Sequence, residues 1–183
     1  MHKFFVDFKK YKKYSNNKSA LVLLLTNQGL WALFVYRISN GIYNSKLPKF
    51  FKKVLLVFAV ICQKWIEILT GISLPYTAKI GAGFYIGHFG GIIVNPLAII
   101  GTNCNISQGV TIGISGRDKK RGVPIIGNNV YMGANAVVVG RIHVSDNCVI
   151  AANSLVVDSI EANKTVLGVP AVVVNNNTSI DYI

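Results

Sequence analysis

A six-residue repeat dominates the second half of the chain and constrains its fold more than any other feature. Aliphatic residues recur every six positions on both sides of one interruption, between Ile112 and Ile126. They are Ile100, Ile106, Ile112, Ile126, Met132, Val138, Val144, Ile150 and Val156. Six is not a multiple of the 3.6-residue helical turn, whereas alternate residues of an extended chain point to the same side. The repeat therefore predicts short strands and tight corners stacked into a parallel solenoid, the hexapeptide β-helix.

One corner of this solenoid departs from the period. The step from Ile86 to Val94 is eight residues instead of six, which predicts an insertion, and His88 lies inside it. A histidine in a regular coil would be a structural residue. A distorted corner can lift its side chain out of the inward column, so His88 is a candidate reactive group.

A basic segment interrupts the repeat between Gly113 and Ile125. It contains Arg117, Lys119, Lys120 and Arg121 against a single acid, Asp118. Cations on a loop that leaves a rigid scaffold are suited to binding phosphates. The alternative is a plain exposed charged loop.

The first 72 residues differ in composition from the rest. They hold 12 of the 19 lysines and arginines but only two acids, Asp7 and Glu67. The pattern predicts apolar helices with breaks at "TNQG" and at Asn40-Gly41, and a last helix that starts near Pro48 and ends at Gly71. This charge indicates an anionic partner, either a membrane surface or a nucleic acid, or else a solvated basic face. The two longest apolar runs are too short or too interrupted for a simple membrane span.

The three cysteines indicate neither a disulfide framework nor a thiolate zinc site. Cys62, Cys104 and Cys148 are widely spaced and odd in number, which fits a reducing cytoplasm. Cys104 and Cys148 occupy inward positions of the repeat, so we expect them to pack in the core, and we expect the same of Cys62 in its apolar helix.

Four segments together resemble the hexapeptide-repeat acyltransferases, specifically the serine-acetyltransferase-like branch. They are "AKIGAGFYIGH", "GGIIVNPLAIIGTNCNISQGVTIG", "IIGNNVYMGANAVV" and "VLGVPA", within about residues 75–174. The segment "YRISN" is also similar to one in short bacterial polysaccharide acetyltransferases. The resemblance implies a mainly β protein: a helical region over residues 1–72, a left-handed parallel β-helix over residues 73–174, and a tail over residues 175–183.

The resemblance also implies a site and its chemistry. His88 matches the family's catalytic histidine, a general base that takes a proton from an acceptor hydroxyl as that hydroxyl attacks the acetyl-CoA thioester. The implied assembly is a homotrimer with each site between neighbouring prisms, and no metal is expected. The residues assigned to acetyl-CoA are Gly113, Arg117, Lys119, Lys120, Ala134, Gly168 and Pro170. Nearness to His88 makes Tyr85, Phe89 and Asn95 candidates for the acceptor site.

Three departures from the family pattern bear on the acceptor. Ser73 stands where serine acetyltransferases carry an aspartate, Val123 replaces a second histidine that helps bind the amino acid, and Val172 replaces a basic residue after "GVPA". These losses favour a sugar hydroxyl over L-serine. The first expectation is therefore a sugar O-acetyltransferase of surface-polysaccharide or glycolipid biosynthesis, cytoplasmic and in peripheral contact with the inner membrane face.

Other classes remain open. The main alternative is a genuine serine O-acetyltransferase of cysteine biosynthesis, and the second is a non-catalytic β-helix scaffold. A zinc enzyme of the carbonic-anhydrase type needs a third histidine besides His88 and His143 in the repeat. Nucleic-acid binding lacks any accompanying motif.

Overall fold

Among the described residues of the computed structural model, four α-helices precede a triangular parallel β-helix. The structure describes residues 2–16 and 18–183, without the side chain of Lys120. The helices are α1 His2–Tyr14, α2 Ala20–Thr26, α3 Gln28–Asn44 and α4 Lys49–Thr70.

Local signals explain where the helices begin and end. The Asn27 side chain accepts a hydrogen bond from the Leu30 N–H at the start of α3, and Gly71 ends α4 in the left-handed conformation at φ 63°. The break predicted at Asn40-Gly41 is wrong, because α3 continues to Asn44. Asn40 instead donates a hydrogen bond from Nδ2 to the Tyr76 carbonyl at 2.7 Å, which holds the helix against the first coil.

Fifteen short strands follow within residues 72–175. They are β1 Ile72–Ser73, β2 Lys79–Ile80, β3 Tyr85–Ile86, β4 Ile92–Val94, β5 Ile99–Ile100, β6 Asn105–Ile106, β7 Thr111–Gly113, β8 Ile125–Ile126, β9 Tyr131–Met132, β10 Val137–Val139, β11 His143–Val144, β12 Val149–Ile150, β13 Leu155–Val156, β14 Thr165–Gly168 and β15 Ala171–Asn175. They form three faces: face A (β1-β4-β7-β10-β13), face B (β2-β5-β8-β11) and face C (β3-β6-β9-β12-β14-β15). The solenoid predicted from the repeat is therefore present.

The repeat residues form the core of the prism. Equivalent residues pair along each face, as in the register Ile106 to Met132 to Ile150, and the aliphatic columns are almost fully buried. Cys104 and Cys148 are buried as expected, and burial raises the pKa of the Cys104 thiol to about 11. Cys62 is exposed on α4, so its predicted packing role is wrong.

Asparagines line the edge between faces B and C. Asn103, Asn129, Asn147 and Asn163 each adopt a left-handed conformation. The side-chain amide of each of the first three donates to the side-chain oxygen of the next at 2.8 to 3.0 Å, which forms an asparagine ladder. Asparagine tolerates this conformation better than other side chains. The ladder therefore stabilises the corners while connecting the coils.

The helices cover the open end of the prism. Arg37 Nε donates to Asp7 Oδ2 at 2.8 Å, and the two side chains are 3% and 0% exposed. Arg37 Nη1 also donates to the Ile80 carbonyl at 2.7 Å, while Asp7 accepts from the Phe84 N–H at 2.9 Å. Tyr36 provides further bonds to the same coil. These side chains satisfy the backbone groups of an otherwise unpaired sheet edge.

The C-terminal residues also pack on the prism. Strand β15 pairs with β14 in the antiparallel direction, and the Tyr182 ring lies 4.6 Å from the Tyr131 ring, between centroids. In the described chain, no individual helix has the length and apolar character to cross a membrane, although α2 and α3, bent by 90°, meet those criteria as a pair.

Candidate active site

His88 lies at the corner where the chain passes from face C to face A. Gly87 aligns with Ser107 of the next coil. Gly90 aligns with Gln108, because the Gly90 carbonyl accepts a hydrogen bond from the Gly109 N–H. In the next coil the Gln108 carbonyl accepts the equivalent bond from the Asn135 N–H. His88 and Phe89 are therefore the two extra residues of this corner. The insertion predicted from the eight-residue step is confirmed, and it places His88 outside the regular coil.

The imidazole of His88 is exposed instead of packed into the core. Among the described residues, no side chain or backbone group forms a hydrogen bond with the ring. Phe89 beside it is 54% exposed. The ring is thus accessible to a substrate and able to turn.

A column made mostly of small residues continues from this corner along the axis of the prism. We call this corner column the histidine edge; after Gly90 it contains Gln108, Ala134, Ala152 and Gly168. Four coil steps separate Gly90 from Gly168, which is about 19 Å at the usual strand spacing. The N–H of Ala134 donates to no described residue. The edge can therefore accommodate an extended chain that carries hydrogen-bond acceptors.

A second group of predicted residues lies at the corner from face A to face B, which we call the loop edge. Asn95 aligns with Gly113 at the ends of β4 and β7. Arg117 and Lys119 follow on an exposed loop, closed at its base by hydrogen bonds of 3.1 and 3.0 Å between Ser115 and Gly122. The side chain of Lys120 lies outside the described residues.

The two edges are separated by the width of face A. Five residues lead from Ala134 to Val139, or about 16 Å of extended chain. The structure thus brings His88, Phe89, Ala134 and Gly168 to one edge, and Asn95, Gly113, Arg117 and Lys119 to the other. Pro170 lies just after Gly168, in the turn before β15.

Tyr85 makes packing contacts with helix α1. Its ring centroid lies 4.6 Å from those of both Tyr11 and Tyr14. Partial burial raises the pKa of its hydroxyl, with a further contribution from Tyr14. Its place in an acceptor site stays a prediction.

A cleft of about 520 Å³ lies between α4 and the outer surface of face A. Ser73, Asn95 and Gly113 line it from the prism, and Lys64 and Glu67 line it from the helix. Ser73 Oγ donates to Glu67 Oε1 at 2.8 Å. Sequence reasoning missed Glu67, because its six-residue distance from Ser73 becomes a contact only when α4 folds against β1.

No group of three metal-ligating side chains is present in the described part of the chain.

No protein-family model matches the chain. A serine acetyltransferase from Staphylococcus aureus is 34% identical over 160 residues, which cover 87% of this chain and 71% of that protein. The chain belongs to the serine acetyltransferase family. A family member from Synechococcus elongatus is 32% identical over 157 residues; that match covers 86% of this chain and 61% of the length of the relative.

Solved structures of family members have the same architecture. A serine acetyltransferase from Neisseria gonorrhoeae in complex with serine gives a TM-score of 0.80 at 30% identity, covering 95% of this chain and 68% of that one. The serine acetyltransferase from Brucella abortus in complex with coenzyme A gives a TM-score of 0.82 at 28% identity, and the match covers 96% of this chain and 68% of that one. These similarities confirm the predicted left-handed parallel β-helix.

The comparisons overturn the predicted acceptor. The relatives that match most of this chain are serine acetyltransferases, so the expectation of a sugar acetyltransferase of polysaccharide or glycolipid biosynthesis is wrong. That expectation rested on the residues at three aligned positions, Ser73, Val123 and Val172. The sequence pattern does not show that the fold brings another carboxylate, that of Glu67, to Ser73.

Proposed function

We propose that the protein is an acetyl-CoA-dependent serine O-acetyltransferase. The observation that carries the proposal is the exposed His88 at an inserted corner, at the head of the histidine edge, in a chain of this family. Relatives solved with serine and with coenzyme A support these two substrates.

In the proposed reaction, His88 accepts the proton of the serine hydroxyl while the hydroxyl oxygen attacks the carbonyl carbon of the thioester. The carbon–sulfur bond then breaks, and coenzyme A leaves as the thiol once its sulfur regains a proton from the imidazolium. A general base contributes about 10² to 10⁴-fold to the rate. The Ala134 N–H lies two coils from the His88 corner, about 10 Å away. At that distance it is better placed to donate to an amide carbonyl of the pantetheine arm than to the reacting thioester carbonyl.

The experiment is thiol release from acetyl-CoA by the purified full chain with L-serine, with the product identified by mass spectrometry. His88→Ala should lower the rate by at least about 100-fold. His143→Ala is the matched control, since His143 is exposed on face B. Equal rates for the two variants, or no acetylserine from the wild type, would contradict the proposal.

We also propose that each site is completed by a second copy of the chain in a homotrimer. The loop edge and the histidine edge of one chain lie on opposite sides of face A, so a neighbour's Arg117 and Lys119 are better placed to meet the phosphates of a cofactor bound along the histidine edge. Mixing His88→Ala chains with Arg117→Ala/Lys119→Ala chains tests this. Random trimers would regain about a quarter of the wild-type sites. No recovery on mixing would refute sharing.

The proposed membrane contact lies on α4. Phe50, Phe58, Trp65 and Ile68 are 62 to 75% exposed along one side, and Lys49, Lys52 and Lys53 flank its start. Aromatic and basic residues together suit an anionic lipid surface. Wild-type protein should float with anionic vesicles, and Phe50→Ser/Phe58→Ser protein should not. If the variant instead loses its oligomeric state, or the wild type does not float, the membrane proposal fails. The cytoplasmic location stays a prediction.

A further inference from the structure

Helix α4 places a carboxylate where the family pattern lacks one. Glu67 Oε1 accepts from Ser73 Oγ and from Gln63 Nε2, both at 2.8 Å, and Oε2 accepts from Lys64 Nζ at 2.6 Å. Partial burial alone would raise the pKa of Glu67, but the hydrogen bonds from Lys64, Gln63 and Ser73 outweigh it and hold the pKa below its ordinary value. Glu67 is therefore ionised at neutral pH and bonded to the strand through Ser73.

The end of α4 is in contact with the corner that carries His88. A Cβ atom on Gly71 would lie 3.1 Å from Gly90 Cα, and the Gly71 carbonyl accepts from the Ile92 N–H at 3.0 Å. Ser73 points outward from face A because its neighbour Ile72 points into the core. His88 projects from the corner that borders this same face. The end of α4 and the start of β1 thus lie next to the corner that carries His88.

We propose that Glu67 is a positioning residue for His88 and acts through the Ser73 hydroxyl. A hydroxyl has one proton to donate and two lone pairs. Since the proton is donated to Glu67, the Ser73 oxygen is left to accept from the Nδ1–H of His88 once the ring, which forms no hydrogen bond with the described residues, turns toward it. That bond fixes the tautomer in which Nε2 is the free base, and the carboxylate behind it stabilises the imidazolium that forms during the reaction. This inference rests on the proposed function and adds the group that orients its base.

Few other charges act on this arrangement. Lys64, on α4 itself, is the only charged side chain bonded to Glu67 in the described structure, and Gln63 and Ser73 are neutral. Strand β1 and helix α3, which pack against α4, contribute no ion pair to it among the described residues.

The test compares Glu67→Gln with the matched control Glu161→Gln, an exposed glutamate in a distant turn. Glu67→Gln should lower kcat for L-serine by at least about tenfold with little change in KM, because a base displaced by about 1 Å can cost about 100-fold. Removing a nearby carboxylate disfavours the imidazolium. The acid limb of the kcat/KM profile should therefore move to lower pH, a shift that a merely structural role would not produce.

Ser73→Asp provides the rescue. The double variant Glu67→Gln/Ser73→Asp should regain most of the lost kcat, since it restores a carboxylate on the strand. Unchanged kcat and pH profile in Glu67→Gln, or no rescue by Ser73→Asp, would overturn the inference.

A direct measurement separates this inference from the proposed function. The ¹⁵N chemical shifts of the His88 ring, recorded by NMR in the substrate-free protein with the ring neutral, should show the Nδ1–H tautomer in the wild type and in Glu161→Gln, and a mixture of tautomers in Glu67→Gln. If the wild type does not acetylate serine, the proposed function fails, but these spectra still decide whether Glu67 acts on His88. If the tautomer is the same in all three proteins, the positioning role is wrong even in an active enzyme.

Discussion

Replacing Asp7 by alanine would leave the Arg37 guanidinium buried without its counter-charge. Asp7 accepts from Arg37 at 2.8 and 3.1 Å and from the Phe84 N–H at 2.9 Å, and it is fully buried. Removing one partner of a buried ion pair costs about 3 to 5 kcal/mol. The unpaired Phe84 N–H moves the expected loss toward the upper end of that range. For a chain of this length the melting temperature should fall by about 6 to 20 °C.

The assay is thermal and urea unfolding followed by circular dichroism, at one protein concentration for all variants. Asp158→Ala is the control, because that carboxylate is exposed and should change stability by less than about 0.5 kcal/mol. Asp7→Leu/Arg37→Met should recover much of the loss, since it removes both charges together. A loss below about 1 kcal/mol for Asp7→Ala would show that water reaches the pair and that the helices do not seal the end of the prism.

Three further predictions concern stability and use the same unfolding assays. Burial lowers the pKa of Lys10 to about 8, from 10.5. As the pH rises, the folded protein therefore loses this proton before the unfolded chain does. The stability of the wild type relative to Lys10→Met should therefore rise between about pH 8 and pH 10.5, and a flat difference would contradict this. Asn129→Ala should cost about 2 to 4 kcal/mol through two lost ladder bonds and an unfavourable φ of 53°; Asn129→Gly should cost less. Gly41→Ala should stabilise by about 0.5 to 1 kcal/mol, because a Cβ there meets nothing within 4 Å on helix α3.

The prism was predictable because its period is local and its residues repeat. Inward positions such as Ile126 and Val138 could be assigned by counting, and the eight-residue step located the corner that carries His88. Counting failed in the helices. Asn40-Gly41 is a turn signal in isolation, but the bond from Asn40 to the Tyr76 carbonyl keeps α3 continuous. Tertiary contacts of this kind have no periodic signal in the sequence.

The "YRISN" segment shows how one motif can support two different interpretations. As a sequence it suggested a relationship to polysaccharide acetyltransferases. In the structure its tyrosine and arginine bond the backbone of the first coil: Tyr36 Oη donates to the Ala78 carbonyl at 2.8 Å and accepts from the Ile80 N–H at 3.1 Å. In this chain the segment therefore has a structural role, and these bonds do not bear on the acceptor.

The error about the acceptor has a physical origin that also bears on the site. Ser73 stands where the family pattern has an aspartate, and the loss of that carboxylate was interpreted as a change of acceptor substrate. Catalysis, however, depends on where charge lies in space, and a helix that ends three residues before Ser73 brings the Glu67 carboxylate to the Ser73 hydroxyl. If Glu67 orients His88, then Ser73 and Glu67 together perform the task of one aspartate, and the two residues should be replaceable only as a pair. Ser73→Ala and Glu67→Gln should then be non-additive in kcat, each alone costing nearly as much as both, because either change breaks the same chain of hydrogen bonds.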